Sequence, residues 1–192
     1  NKKKKEKQKM ERNKEIKINI KDIVVLESPI HKDNRGYFTE NWRKDHLIEN
    51  GVPVNFFRKE LQNNVSLSKK GVIRGMHFQD CPKLFTVVQG KFRMCFVDLR
   101  ENSETFKNVF YLDVKPGTIV YMPSGVANGV QSLEDNGYLN YLVKCYYDPK
   151  YVSMNPLDED LNLPWVKDIK LILSEKDKNG ISYKEMLEKT RK

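Results

Sequence analysis

From Ile18 onward, short apolar runs alternate with turn signals, and that spacing predicts strands. The clearest run is 90–100, where Phe92, Met94 and Phe96 fall on one face. Val24, Val25 and Leu26 form another short apolar run, and further strands are expected over 71–78, 83–89, 107–114, 117–122, 127–133 and 138–147. Turn chemistry separates them: Lys69-Lys70-Gly71, Gln89-Gly90, Pro116-Gly117, Pro123-Ser124-Gly125 and Asn136-Gly137. Helical periodicity is confined to 42–50 and 182–191, the second opened by Ser182 with Glu185 three residues on, the pattern of a capping box. Many short strands at spacings of roughly 8–12 residues argue for an all-β sandwich or barrel rather than βαβ units. There is no internal repeat or interior linker, so one all-β domain is expected over 18–192.

Composition narrows the functional classes. The 192 residues include nine Phe, nine Tyr and two Trp, enough aromatic area for a packed core despite 32% charged residues. No run approaches the roughly 18 apolar residues of a membrane span, and no basic-then-apolar leader suggests secretion, so a cytoplasmic protein is expected. The net charge of +9 suggests nucleic acid until it is divided along the chain. Residues 1–17 hold eight Lys and Arg12 against three Glu, a net +6, which leaves +3 for the remaining 175. The basicity therefore belongs to a Lys-rich leader, read as a solvated, disordered tail rather than a nucleic-acid arm. Cys81, Cys95 and Cys145 are odd in number and lack metal-ligand spacing, and are read as reduced thiols.

Three segments carry candidate chemistry. Gln62, Asn64, Ser66 and Ser68 alternate with Asn63, Val65 and Leu67, so one face of this strand is wholly polar, either solvent-exposed or lining a wet pocket. Arg74 and His77 sit inside a strong β-former run; plain alternation sends them to opposite faces, and a bulge at Gly75 would bring them together. Tyr141, Val143, Cys145 and Tyr147 share a face, so two phenols are expected to point into one interior. His31 and His46 have no evident partner and are assigned to the surface. There is no Gly-rich phosphate loop, G-x-S-x-G elbow or C-x-x-C pair, and three scattered histidines make a poor metal site.

Read in order, these segments resemble the dTDP-4-dehydrorhamnose 3,5-epimerase family, sugar-nucleotide epimerases of the cupin jelly-roll type. The resemblance covers roughly residues 20–180 and rests on seven segments: Asp33-Asn34-Arg35-Gly36-Tyr37-Phe38-Thr39-Glu40, Gln62-Asn63-Asn64-Val65-Ser66-Leu67-Ser68, Arg74-Gly75-Met76-His77-Phe78-Gln79 with Lys83-Leu84, Val97-Asp98-Leu99-Arg100, Pro123-Ser124-Gly125-Val126-Ala127-Asn128-Gly129, Tyr146-Tyr147-Asp148-Pro149, and Leu173-Ser174-Glu175-Lys176-Asp177. It implies a cupin-type jelly roll with short C-terminal helices. It further implies a homodimer whose N-terminal segments complete the neighbour's site, and no metal or redox cofactor.

By the same resemblance His77 corresponds to the general base, Asp177 to the carboxylate that orients it, and Tyr141 to the general acid on the other side of the sugar ring. Arg35, Glu40, Gln62, Asn63, Asn64, Arg74, Lys83, Asn128, Tyr147 and Lys176 fall on substrate-binding positions. The chemistry is coherent in its own terms. A 4-keto group acidifies hydrogens on the adjacent carbons, so epimerisation needs a base, a cation near the enolate, and an acid on the opposite face. General-base transfer contributes about 10²–10⁴ in rate. Lys83 would stabilise the enolate, cations near Tyr141 would lower its pKa, and Arg74 with Arg35 would clamp a diphosphate. The chain departs from the family pattern at Asn128 (a family histidine), Met94 and Val152 (family carboxylates) and in a shorter loop between His77 and Lys83. These departures point to a different sugar or inversion at one carbon. The rivals are a non-catalytic sugar-nucleotide-binding jelly roll and a nucleic-acid binder acting through residues 1–17.

Overall fold

The computed structural model describes residues 18–58, 60–149 and 151–191. The Lys-rich leader, residues 1–17, lies outside the described residues. Alternating segments become strands β1 (Val24–Glu27), β2 (His31–Asp33), β3 (Gly36–Phe38), β4 (Gln62–Ser68), β5 (Ile73–Phe78), β6 (Lys83–Gln89), β7 (Phe92–Asp98), β8 (Val109–Val114), β9 (Thr118–Met122), β10 (Val126–Ser132), β11 (Gly137–Val143) and β12 (Val152–Ser153). The helices are α1 (Lys44–Glu49), a 3₁₀ turn (Val54–Phe57), α2 (Glu175–Lys178) and α3 (Tyr183–Thr190). Ser182 caps α3 with a reciprocal Glu185 capping box, as the sequence predicts.

Two five-stranded antiparallel sheets face one another, in the orders β1-β9-β6-β11-β4 and β12-β5-β10-β7-β8, with β2-β3 as a separate hairpin. The period-two alternation decides what lies between them. Phe92, Met94 and Phe96 from β7 join Phe85, Val87, Leu139, Phe110, Leu112 and Val130 in the central core. Their strand neighbours Cys95 and Val97 point the opposite way and pack beneath Leu161, Leu163, Trp165 and Met186 of the C-terminal segment. The outer face of the first sheet is covered similarly, with Leu47, Val52 and Phe56 packed on Leu84, Ile119 and Leu142. β10 is buried along its whole length because both of its faces are covered.

Two expectations are corrected. Cys81 and Cys145 are not free thiols; they form a disulfide with Cα atoms 6.1 Å apart, and Cys95 is the free, buried cysteine. Lys83 pairs with Val143 in the β6–β11 ladder and the Lys144 N–H donates to the Pro82 carbonyl at 3.0 Å, so antiparallel register sets Cys81 opposite Cys145 across 64 residues of sequence. The other correction concerns Tyr147. β11 ends at Val143, so Tyr147 does not share an interior with Tyr141 but lies 60% exposed beyond the strand.

Candidate active site

The inner face of the jelly roll is apolar over most of its area and polar at one end, and strand register explains which residues gather there. In β11, Tyr141 pairs with Asn64 of β4 and Phe85 of β6, and Val143 pairs with Gln62 and Lys83. Paired residues share a face, so Gln62, Asn64, Lys83 and Tyr141 all sit on the side of core residue Phe85. Across the barrel Asn128 pairs with His77 and Val130 with Arg74, three residues of β5 against two of β10. The extra residue is the bulge at Gly75, and it returns Arg74 and His77 to one face. A glycine is required there: φ is +144° and a Cβ would lie 2.5 Å from the Gly129 Cα.

His77 is bonded to a carboxylate. Its Nε2 is 3.0 Å from Asp177 Oδ1, and Ser153 donates its hydroxyl to the same oxygen at 3.1 Å. Burial alone raises the Asp177 carboxyl, but the hydrogen bonds from His77, Ser174 and Ser153 outweigh it and hold the group below the ordinary carboxylate value. An ionised carboxylate only accepts, so Nε2 carries the hydrogen and Nδ1 keeps the basic lone pair. Asp177 is held by the first turn of α2, where Ser174 caps its backbone N–H.

Lys83 is 4% exposed and donates to Asn128 Oδ1 at 3.0 Å. Burial pushes its pKa down from 10.5 to about 8, so it remains predominantly charged at neutral pH with a neutral amide for a partner. Tyr141 packs against Phe85 with ring centres 5.6 Å apart and planes tilted by 32°. Contrary to the expectation from nearby cations, its phenol is pushed up: burial comes first, Tyr151 adds to it, and Arg74 and the Asn64 hydrogen bond only partly oppose it. Tyr141 is thus a phenol that keeps its proton.

His77, Arg74, Tyr151, Lys176 and Asp177 line a cleft of about 400 Å³. Arg74 is tethered there by Ser68 Oγ and the Leu67 carbonyl, both at 3.1 Å. The remaining expected residues divide. Gln62 donates to Asn64 and accepts from the Tyr147 N–H, which keeps both beside the inward set. Asn63 points outward and accepts from Asn140 on the opposite face of the sheet. Arg35 and Glu40 are not among the cleft residues; Arg35 pairs with Asp33 and Glu40 with Arg43 at the exposed N-terminal side. His31 and His46 are exposed, as expected. Sequence reasoning missed Tyr151 and Ser153, which reach His77 and Asp177 through loop and edge-strand placement with no local signal. A larger cavity, about 530 Å³, is lined by Asp22, Phe78, Arg100, Ser103 and Lys189 among others. Its arginine is engaged with Asp98 and Asp22, and unlike the smaller cleft it has no histidine among its lining residues. Among the described residues no group of His, Cys, Asp and Glu side chains is arranged to hold a metal, and no helix is long and apolar enough to cross a membrane.

A sequence profile of the dTDP-4-dehydrorhamnose 3,5-epimerase family matches residues 17–185. The chain belongs to that family. A dTDP-4-dehydrorhamnose 3,5-epimerase of Methanothermobacter thermautotrophicus is 36% identical, covering 85% of this chain and 91% of that protein. A dTDP-4-dehydro-6-deoxyglucose 3-epimerase of a Streptomyces species is 34% identical, covering 85% of both. The solved structure of RmlC from Streptococcus suis in complex with dTDP-D-xylose superposes with a TM-score of 0.81 at 37% identity, covering 88% of this chain and 89% of that one. Membership in the epimerase family agrees with the jelly roll expected from the sequence, and places this chain among isomerases.

Proposed function

We propose that this chain epimerises a dTDP-linked 4-keto-6-deoxy sugar at carbon 3, carbon 5 or both, with His77 as base and Tyr141 as acid. The observation that carries the reading is the convergence of a carboxylate-bound imidazole, a buried ammonium and a protonated phenol on one end of the barrel interior. His77 Nδ1 takes the hydrogen beside the ketone. The electrons move onto the carbonyl oxygen, where the Lys83 ammonium offsets the developing enolate charge without reorganising. Tyr141 then delivers a proton to the opposite face, and inversion results. The ketone itself is the electron sink, so the proposed chemistry needs no cofactor. Arg74 and Lys176 at the cleft supply positive charge for the diphosphate.

Inversion at carbon 3 alone is the second reading, favoured by Asn128 in place of a family histidine and by the similarity to a 3-epimerase. Proton NMR of dTDP-4-keto-6-deoxyglucose with the protein in deuterated buffer decides: two signals disappear for the double epimerase and one for the single. His77→Asn should abolish exchange at every carbon while dTDP binding persists; unchanged exchange in that variant would falsify the base assignment. We assign the reaction to the cytoplasm, where nucleotides are activated. A homodimer is also proposed, because Phe38 of the hairpin and Val65 and Leu67 of edge strand β4 are exposed, and because Arg35 and Glu40 lie apart from their own cleft.

A further inference from the structure

Tyr151 belongs to the segment after β11 and is the aromatic residue closest to the candidate base. Its ring is nearly perpendicular to the His77 imidazole, with centres 5.4 Å apart and planes at 74°. A single hydrogen bond from Nε2 to Asp177 leaves an imidazole free to swing about the N···O axis; a ring packed against it removes that freedom. Tyr151 is itself clamped. The Lys176 ammonium lies 3.7 Å from its ring centre, and the Tyr147 ring meets it at 5.7 Å and 74°. The segment carrying both tyrosines is tied to the barrel by the Cys81–Cys145 bond and by the Tyr147 N–H donating to Gln62. Lys176 precedes Asp177 in α2, so one short helix reaches the imidazole twice, directly through the carboxylate and indirectly through the Tyr151 ring. Tyr151 is also within electrostatic reach of Tyr141.

We propose that Tyr151 is a positioning residue for proton abstraction: its ring locks the His77 imidazole so that Nδ1 keeps one direction toward the sugar. This rests on the epimerase reading of the same cleft. The ring carries the role, not the hydroxyl. Tyr151→Leu should therefore lower kcat for hydrogen exchange by about 10- to 100-fold, the scale of a misdirected catalytic group, with KM little changed. Tyr151→Phe should restore most of the lost kcat. Tyr151→Met, which keeps bulk without a ring, should fall like Leu and replaces it if the Leu protein does not fold.

In the ligand-free protein the His77 ring signals, assigned by their loss in His77→Asn, should show an upfield ring-current displacement in the wild type and Tyr151→Phe that is absent in Tyr151→Leu. A raised KM with unchanged kcat would make Tyr151 a wall of the binding site and overturn the proposal. Equal losses in Phe and Leu would overturn it in favour of the hydroxyl. Wild-type protein that exchanges no hydrogen on dTDP-linked 4-keto sugars would overturn the epimerase reading and the role in abstraction with it. The ring-current signals would then still report separately whether the contact exists.

Discussion

Replacing Lys83 with methionine should make the protein more stable and nearly inactive. Lys83 is 4% exposed with one neutral partner, and its pKa falls from 10.5 to about 8 on folding. At about 1.4 kcal/mol per pH unit, the folded state is roughly 3 kcal/mol less stable with this lysine charged than with it neutral. Below pH 8 the lysine is protonated folded and unfolded, and the full cost is present. Above 10.5 it is neutral in both states and the cost is gone, so the wild type gains stability as pH rises between those limits. Methionine fills the space without a charge but leaves Asn128 Oδ1 without its donor, a loss of about 1 kcal/mol. The net gain for Lys83→Met at pH 7 is about 2 kcal/mol, or about 4–8 °C in Tm for a chain of this length. Thermal unfolding by circular dichroism at pH 7 and pH 10, at one protein concentration, should show that gain shrinking at the higher pH. Hydrogen exchange on the keto sugar should fall about 10²–10³-fold with the loss of the enolate's cation. A variant less stable than wild type at pH 7, or a stability difference that does not change with pH, would refute the buried-charge account.

The disulfide and the dimer yield the remaining tests. Purified, unreduced protein denatured in the presence of a thiol reagent should titrate one cysteine, Cys95, and three after treatment with a dithiol; three without reduction would show that Cys81 and Cys145 are not bonded. Cys81→Ser with Cys145→Ser should lower stability by about 2–4 kcal/mol, since the bond closes a long loop, and should raise KM by loosening the segment that carries Tyr147 and Tyr151. Leu67→Glu places a charge on the exposed side of edge strand β4 and should convert a two-chain particle to a one-chain particle by light scattering; a wild type already of single-chain mass contradicts the dimer.

Much of the architecture was legible because it is local. A strand's faces follow from its own period of two, so the inward set Phe92, Met94 and Phe96 could be read from seven consecutive residues. The turns at Gln89-Gly90 and Asn136-Gly137 and the Ser182–Glu185 cap likewise depend on neighbours in sequence. Short elements were harder. β2, β3, β12 and α2 are two to four residues long and carry too few positions for a periodicity.

The site lies at the other extreme. The chain supplies His77, Asp177, Lys83 and Tyr141 as residue types, and motif order marked them through the family resemblance. Their meeting depends on contacts such as the His77–Asp177 bond, which joins positions 100 apart in sequence. Register across β4, β11 and β6, and the bulge at Gly75, decided which side chains share the interior; Asn64 was admitted and its neighbour Asn63 excluded. The same register turned two unremarkable cysteines into a bonded pair. Burial then fixed the protonation preferences, lowering Lys83 and raising Tyr141, because desolvation is a property of everything packed around a group rather than of the residues beside it in the chain.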